Sequence, residues 1–481
     1  MSRVLEAIAA HAEAKPDALA LSGVDQAFTY VELTLAVEDA AAQLAGLAHL
    51  KAPDAPVAIV LENGPAWVIL DLALVRLGWP SLPIPGFFTP AQRDHAVADS
   101  GAGLLISAEN AGAQLRIAGT DLTATPLAGG VPRLPVGTAK ITYTSGSTGQ
   151  PKGVCLSQAQ MEAVAVSLVE MIGADYAGLH LPLLPLSILL ENVAGLYATL
   201  IGGGRYHVLP PAVLGLDNPF RPDLARLTAT IAGEGATSLI LVPELLRALL
   251  MVMSFTGARF PNLNLVAVGG AKVAPQLLAQ AQALGLPVYE GYGLSECASV
   301  VTLNTPSAHQ TGAAGRPLPH LTVEIDADGE IVVGPRPFLG YAGAPPALGP
   351  VRTGDLGRFD DAGFLHIDGR RANTIINAYG RNIAPEWVES ELLAQAEIRQ
   401  AIVFGEGQAQ LGALLVPLAP DMTPADLEAA VQRANRNLPT YAQIGRWQVR
   451  APFDPAAGEL TGNGRPRRAV LLAHPFVEAQ Q

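Results

Sequence analysis

The chain of 481 residues carries 30 Lys+Arg against 43 Asp+Glu, a formal net charge of −13, which argues against a nucleic-acid partner because that polyanion demands a basic surface. Its length exceeds what one core supports, so two or more domains are expected, and 49% hydrophobic against 15% charged residues supply ample material for buried parallel strands. Two cysteines, Cys155 and Cys297, exclude a disulfide framework and fit a reducing compartment, so a cytoplasmic protein is expected.

Arg3, Glu6, Glu13 and Lys15 occupy the first turns, unlike the apolar run of a signal peptide. Residues 55–61, 103–107, 238–242, 264–268 and 287–290 are short apolar runs beside helical stretches. That alternation is what βα units of parallel sheets require. The most apolar stretch, Leu239 to Phe255, holds Pro243, Glu244 and Arg247, so no transmembrane segment is expected.

Between an expected strand at 139–143 and apolar residues from Val154 lies Thr144-Ser145-Gly146-Ser147-Thr148-Gly149-Gln150-Pro151-Lys152-Gly153. Glycines at 146, 149 and 153 let backbone N–H groups approach an anion, four hydroxyls add donors, and Lys152 adds charge. The order differs from Gly-x-x-x-x-Gly-Lys-Ser/Thr, so this is a different kind of phosphate loop. A flexible polar linker shares the composition.

Further along come Gly269-Gly270-Ala271 and, after an apolar strand, Gly291-Tyr292-Gly293-Leu294-Ser295-Glu296. Alternating residues at 321–325 and 330–333, then the Pro/Gly-rich stretch Gly334 to Pro350, predict hairpins that close a large domain. Thr353-Gly354-Asp355-Leu356-Gly357 precedes Gly363-Phe364-Leu365-His366-Ile367-Asp368-Gly369-Arg370, whose last pair is expected to be a linker. Beyond it, Tyr379-Gly380-Arg381 leads to a helix from Glu386, strands at 400–404 and 412–417 and a helix from Pro424, which suit a small α+β domain. Thr461-Gly462-Asn463-Gly464-Arg465-Pro466-Arg467-Arg468 lies near the end. From Arg370 to Gln481 the 11 arginines balance 11 acidic residues, so the excess negative charge lies on residues 1–369. A neutral small domain meets a polyanionic nucleotide with less repulsion; simple solvation of an acidic large domain is the other reading.

This ordered set, with Phe28-Thr29-Tyr30-Val31-Glu32-Leu33 and Asn63-Gly64-Pro65-Ala66-Trp67-Val68 upstream, resembles the adenylate-forming superfamily of acyl-CoA synthetases, nonribosomal peptide synthetase adenylation domains and luciferase. It is most similar to AMP-forming long-chain acyl-CoA synthetases. The resemblance implies an α/β fold: a large N-terminal domain, 1–369, of two sheet-bearing βα subdomains plus a small β-barrel, capped by a small mobile α+β domain, 370–481.

The resemblance also assigns roles. The loop from Thr144 to Lys152 holds the β- and γ-phosphates of ATP. Glu296 binds Mg²⁺, and Ser295, where threonine is usual, contacts the α-phosphate. Gly270, Ala271 and Tyr292 pack around adenine, with Gly291, Gly293 and Ile367 in the same nucleotide site. Asp355 accepts both ribose hydroxyls, Arg370 lies near that sugar, and Arg381 binds nucleotide. Taken alone, Asp355 reads equally as a turn residue and Glu296 as an acid favoured at a helix N-terminus.

Two departures stand out. The late catalytic lysine of this superfamily aligns with Arg465, which can bring positive charge to carboxylate and α-phosphate in a forked geometry. The five lysines, at 15, 51, 140, 152 and 272, leave no substitute after residue 370. Ala372 replaces the usual charged hinge residue, and backbone freedom alone suffices for a hinge.

The segment Leu181 to Asn192 is similar to the stretch lining the acyl pocket, with Ile188 where many relatives have His or an aromatic. Leu186 matches the aspartate that pairs a substrate ammonium in amino-acid ligases, and the Pro243 helix with Met251 and Met253 matches another pocket wall. A buried ammonium without its partner is strongly disfavoured, whereas methionines suit an alkyl chain. The expectation is therefore ATP- and Mg²⁺-dependent activation of a fatty or other apolar carboxylic acid to an acyl-adenylate, then a thioester with CoA. A carrier-protein phosphopantetheine is the alternative acceptor, and a nucleotide-binding homologue impaired by Arg465 is the alternative from another class.

Overall fold

The computed structural model describes residues 2–109, 112–128, 130, 133–144, 151–173, 176–218, 221–455, 457–461 and 465–473. Two large mixed sheets form its bulk. In the eight-stranded sheet, Val57–Val60 pairs in parallel with Ser81–Pro83 on one side and Leu104–Ser107 on the other. In the nine-stranded sheet, Ser238–Leu241, Leu265–Val268 and Val288–Tyr292 run parallel in succession. Val57, Ala58, Ile59, Leu239 and Val266 are fully buried, the signature of strands covered on both faces by helices. All five apolar runs read from the sequence are such strands.

Helix starts are encoded locally. Thr29 with Glu32, Thr89 with Gln92, Ser157 with Gln160 and Thr423 with Asp426 each form a reciprocal capping box. Each satisfies two N-terminal backbone donors that the helix itself leaves unpaired.

Lys140–Thr144 and Lys152–Leu156 form an antiparallel hairpin whose tip is the segment read as a phosphate loop. A fully buried polar cluster anchors its base. Lys140 Nζ donates to Asp71 Oδ1 at 2.7 Å and also to Asn192, while Tyr197 donates to Asp71 Oδ2 at 2.7 Å. Burial lowers the Lys140 pKa and the Asp71 charge opposes that shift. Breaking a buried pair of this kind costs about 3–5 kcal/mol, because an uncompensated charge stays behind.

A four-stranded antiparallel sheet, Thr322–Ile325, Glu330–Gly334, Val351–Phe359 and Leu365–Arg370, occupies the place where a small barrel was expected. Two expectations change here. Gly340–Tyr341, within the Pro/Gly-rich stretch, joins the edge of the eight-stranded sheet beside Lys152–Leu156. Gly369 and Arg370 are not a linker but the end of a strand, opposite Leu356 and Asp355; the chain leaves the sheet through the 3₁₀ turn Arg371–Asn373.

The following residues have their own core, with Val388, Leu392, Val403, Leu415, Leu427 and Val431 at its centre. It packs the helices Pro385–Leu393 and Pro424–Asn435 on the sheet of Ile398–Phe404, Leu411–Pro417 and Ile444–Val449. A separate core is what lets this smaller domain move as a unit. Among the described residues, no helix is long and apolar enough to cross a membrane. Cys155 and Cys297 are both buried; burial pushes the Cys155 thiol up to about 12 and holds that of Cys297 well above the ordinary range.

Candidate active site

A cleft of about 2940 Å³ opens between the C-terminal ends of the parallel strands and the smaller domain. A drug-sized ligand needs about 300–1,000 Å³, so this space admits more than one substrate. At its centre lies Asp355. Tyr292 donates its hydroxyl to Asp355 Oδ2 at 2.7 Å, and Arg370 Nε donates to Oδ1 at 2.8 Å. Burial works against the Arg370 charge, but the Asp355 carboxylate more than offsets it and leaves the pKa above arginine's usual value. Burial, then Asp355, raises the Tyr292 phenol.

Backbone geometry shapes the same wall. A Cβ on Gly293 would lie 1.6 Å from the Ser299 carbonyl oxygen, so only glycine fits between Tyr292 and the turn holding Ser295 and Glu296. Gly270 takes φ +92°, and its carbonyl accepts a hydrogen bond from the Arg465 guanidinium of the smaller domain. That side chain is held from below. Arg465 N donates to Thr461 Oγ1 at 2.9 Å, Thr461 N donates to the Arg465 carbonyl at 2.7 Å, and Leu460 bridges to Pro466. Burial and then Arg370 lower the Arg465 pKa; because Arg465 stays exposed to the cleft, the like charge of Arg370 is the firmer cause.

Of the residues singled out from sequence, Thr144, Lys152, Gly270, Ala271 and Gly291 line the cleft. So do Tyr292, Gly293, Ser295, Glu296, Asp355 and Ile367, with Arg370 and Arg465. Ser145, Gly146, Ser147, Thr148 and Gly149 lie outside the described residues. Arg381 is not brought into the cleft. It sits on the hairpin of Ile375–Ile376 and Asn382–Ile383 with its guanidinium 6.0 Å from the Tyr441 ring centre, beside a Tyr379 that is 72% exposed.

Three contacts were not foreseen from sequence. Tyr341 donates to Glu296 Oε1 at 2.9 Å, and Lys152 Nζ lies 5.4 Å from the centre of the Tyr341 ring. That edge residue thus ties the expected metal ligand to the phosphate-loop lysine. Lys272 Nζ donates to the Ile367 carbonyl at 2.9 Å and fixes Ile367 against the cleft. One of only five lysines, placed directly after Gly269-Gly270-Ala271, was a signal in itself. Asn63 clamps the acyl segment, donating to the Leu184 carbonyl at 2.9 Å and accepting from Leu186 N at 2.8 Å.

The acyl wall differs from expectation in two places. Leu186 is buried in the core rather than turned to the cleft, while Ser187 and Ile188 face it, because the turn from Pro185 to Ile188 rotates the chain before the wide π-type helix Leu190–Tyr197. On the Pro243–Thr256 helix, Met253 belongs to the core with Leu246, Leu249 and Leu250; Leu245 and Ala248, not the methionines, line the cleft.

Behind this wall Glu290 is buried and accepts from Val273 N at 3.3 Å. Burial pushes its carboxyl up to about 7, with the Val273 N–H and Lys272 opposing. Because the folded pKa lies above the unfolded one, stability is fullest below about pH 4.5 and is lost as pH rises through 7. Glu290→Gln is therefore expected to raise the melting temperature at pH 8, by up to about 3 kcal/mol of stability, with the difference vanishing below pH 5. A pH series of thermal melts checks this.

An open cleft of this size at the strand ends, crossed by one arginine from a second domain, defines an enzyme that holds a nucleotide between two bodies. The AMP-binding enzyme family model matches residues 8–341 and that of the AMP-binding enzyme C-terminal domain matches 372–474; the chain belongs to this family. Among relatives, an oxalate–CoA ligase of Arabidopsis thaliana is 28% identical over 441 residues, covering 81% of this chain and 83% of its own. A long-chain-fatty-acid–CoA ligase of Mycobacterium bovis is 28% identical over 403 residues, covering 69% and 67%. The solved O-succinylbenzoate CoA synthetase of Bacillus subtilis in complex with AMP superposes with a TM-score of 0.77 at 25% identity, over 98% of each chain.

Proposed function

We propose that this chain is an ATP-dependent acid–CoA ligase acting on an apolar carboxylic acid through an acyl-adenylate. The observation carrying this reading is Arg465, held by Thr461 and reaching across to the Gly270 carbonyl beside the Asp355–Arg370–Tyr292 cluster. Positive charge from the smaller domain then lies where a carboxylate and a phosphate, two mutually repelling anions, must meet.

In the first half-reaction a carboxylate oxygen attacks the α-phosphorus, the bond from that phosphorus to the bridging oxygen breaks, and pyrophosphate leaves with the electron pair. No proton need move, so the protein's part is alignment and charge neutralisation. Asp355 receives the ribose hydroxyls; Lys152 and the hairpin tip receive the outer phosphates. Arg465 and Ser295 meet the α-phosphate. In the second half-reaction a thiol sulfur attacks the acyl carbon, AMP leaves, and the thiol proton passes to solvent.

Among the described residues no group of three or more His, Cys, Asp and Glu side chains forms a metal cage of protein ligands alone. A single cleft carboxylate is the donor set Mg²⁺ uses when nucleotide phosphates and water complete its octahedron, so Glu296, steadied by Tyr341, is the residue to hold it. When bound, the ion neutralises phosphate charge.

Ile188, Ile240, Val242, Leu245, Ala248 and Ala267 make the acyl wall apolar. Its nearby carboxylate, Glu244, lies among Arg247 and Arg465, which balance its charge and leave it a poor partner for a substrate ammonium. Arg381, on an exposed hairpin in this arrangement, is assigned to nucleotide contact after the smaller domain has turned. The domain division at 369/370 and a turn about Arg371–Asn373 belong to the same reading.

A panel of carboxylic acids with ATP and Mg²⁺, with CoA or a phosphopantetheinylated carrier protein as acceptor, tests it by mass spectrometry. Fatty and other neutral acids are expected to give AMP and a CoA thioester, and free amino acids are not. Turnover of a standard amino acid without any of an apolar acid would overturn the substrate reading; thioester on the carrier alone would overturn CoA.

A further inference from the structure

Arg247 is charged, half-buried, and turned away from the acyl wall formed by its own helix, Pro243–Thr256. Its NH1 donates to the Leu393 carbonyl at 3.0 Å and the Ile398 carbonyl at 2.7 Å, and its NH2 donates to the Arg399 carbonyl at 2.9 Å. All three acceptors belong to the smaller domain. Leu393 ends the helix Pro385–Leu393 and Ile398 starts the next strand. Helix-terminal carbonyls lack intrahelical donors and carry the negative end of the helix dipole, so one planar guanidinium closes a site that the smaller domain cannot close alone.

The contact has few neighbours to share its load. Gln276 donates to Glu391 Oε2 at 2.8 Å, and Ala394 packs on the core of the second large sheet. Arg465 reaches Gly270 on the same side of the cleft. Arg247 thus holds the smaller domain in the one orientation that delivers Arg465.

We infer that Arg247 is the positioning residue for adenylate formation: it latches the smaller domain with Arg465 over the nucleotide and must release all three carbonyls before the thiol step. The inference rests on the proposed ligase reading. It adds the residue that sets the balance between the two half-reactions. Deleting the guanidinium removes three charge-assisted bonds from one domain orientation and leaves the substrate-facing residues untouched. The effect therefore falls on one half-reaction.

The test compares wild type, Arg247→Ala and Arg247→Lys. Single-turnover adenylation of an accepted acid is expected to fall by about 10- to 100-fold in the alanine variant, with KM for the acid little changed. Thioester formation from supplied acyl-adenylate is expected to hold or rise. Lysine, a point charge without the fork, should recover part of the adenylation rate. A second measurement needs no catalysis. Both native cysteines are buried, so spin labels on cysteines introduced at the exposed positions Val136 and Asp421 report the distance between domains. Arg247→Ala should broaden or shift that distribution. An unchanged distribution, or equal loss of both half-reactions in a folded variant, overturns the latch. If wild type forms no adenylate with any acid, the ligase reading falls, while the distance measurement still decides the latch.

Discussion

Replacing Arg465 by alanine is expected to lower the rate of acyl-adenylate formation by about a hundredfold or more, the usual cost of losing a donor aimed at transition-state charge. The guanidinium is the contribution of the smaller domain to the Gly270 edge of the cleft, and no lysine follows residue 370 to replace it. Because Thr461 grips the backbone of residue 465 rather than its side chain, the alanine variant keeps the loop and should melt like wild type. Arg465→Lys should recover part of the rate, since a point charge neutralises phosphate without the fork. Thioester formation from supplied acyl-adenylate should be spared. Single-turnover pyrophosphate release measures the first step; an alanine variant at the wild-type rate would remove Arg465 from the chemistry.

What could be read before the structure follows a physical division. Chemistry concentrated in neighbouring residues was legible: the apolar runs that became parallel strands, the hydroxyl- and glycine-rich hairpin tip, and Asp355 between its turn and strand. Contacts made only by chain folding were not. Tyr341 meets Glu296 and Lys152 because the short edge strand Gly340–Tyr341 pairs with Lys152–Leu156, and a two-residue strand inside a Pro/Gly-rich stretch has no periodicity to show. Leu186 was placed on the cleft by resemblance alone, yet Asn63 pins its backbone amide and the following turn and π-type helix change which positions face inward. The Pro243–Thr256 helix reads as a pocket wall by composition, but its apolar face packs on its own domain and its one arginine serves the other.

Asp355→Ala carries the second large expected effect, on nucleotide rather than on acid. The carboxylate accepts from Tyr292 and Arg370 at once, and its own amide is held by Thr353 Oγ1 at 3.1 Å, so it is fixed before any ligand arrives. Removing it leaves the Tyr292 hydroxyl without its acceptor. Arg370, deprived of its anion, then faces Arg465, whose pKa its charge already lowers. Truncating one partner of a hydrogen-bonded buried charge pair costs about 2–5 kcal/mol, which corresponds to a fall of roughly 30- to several-thousand-fold in kcat/KM for ATP. Asp355→Asn keeps an acceptor of the same shape and loses only the charge, so its loss should be smaller. Direct calorimetry of AMP binding separates a nucleotide role from general damage: AMP affinity should fall in both variants, and the melting temperature of Asp355→Asn should stay near wild type. Unchanged AMP affinity in Asp355→Ala, with a lowered melting temperature, would make the cluster a structural support for the sheet and move the ribose contact elsewhere in the cleft.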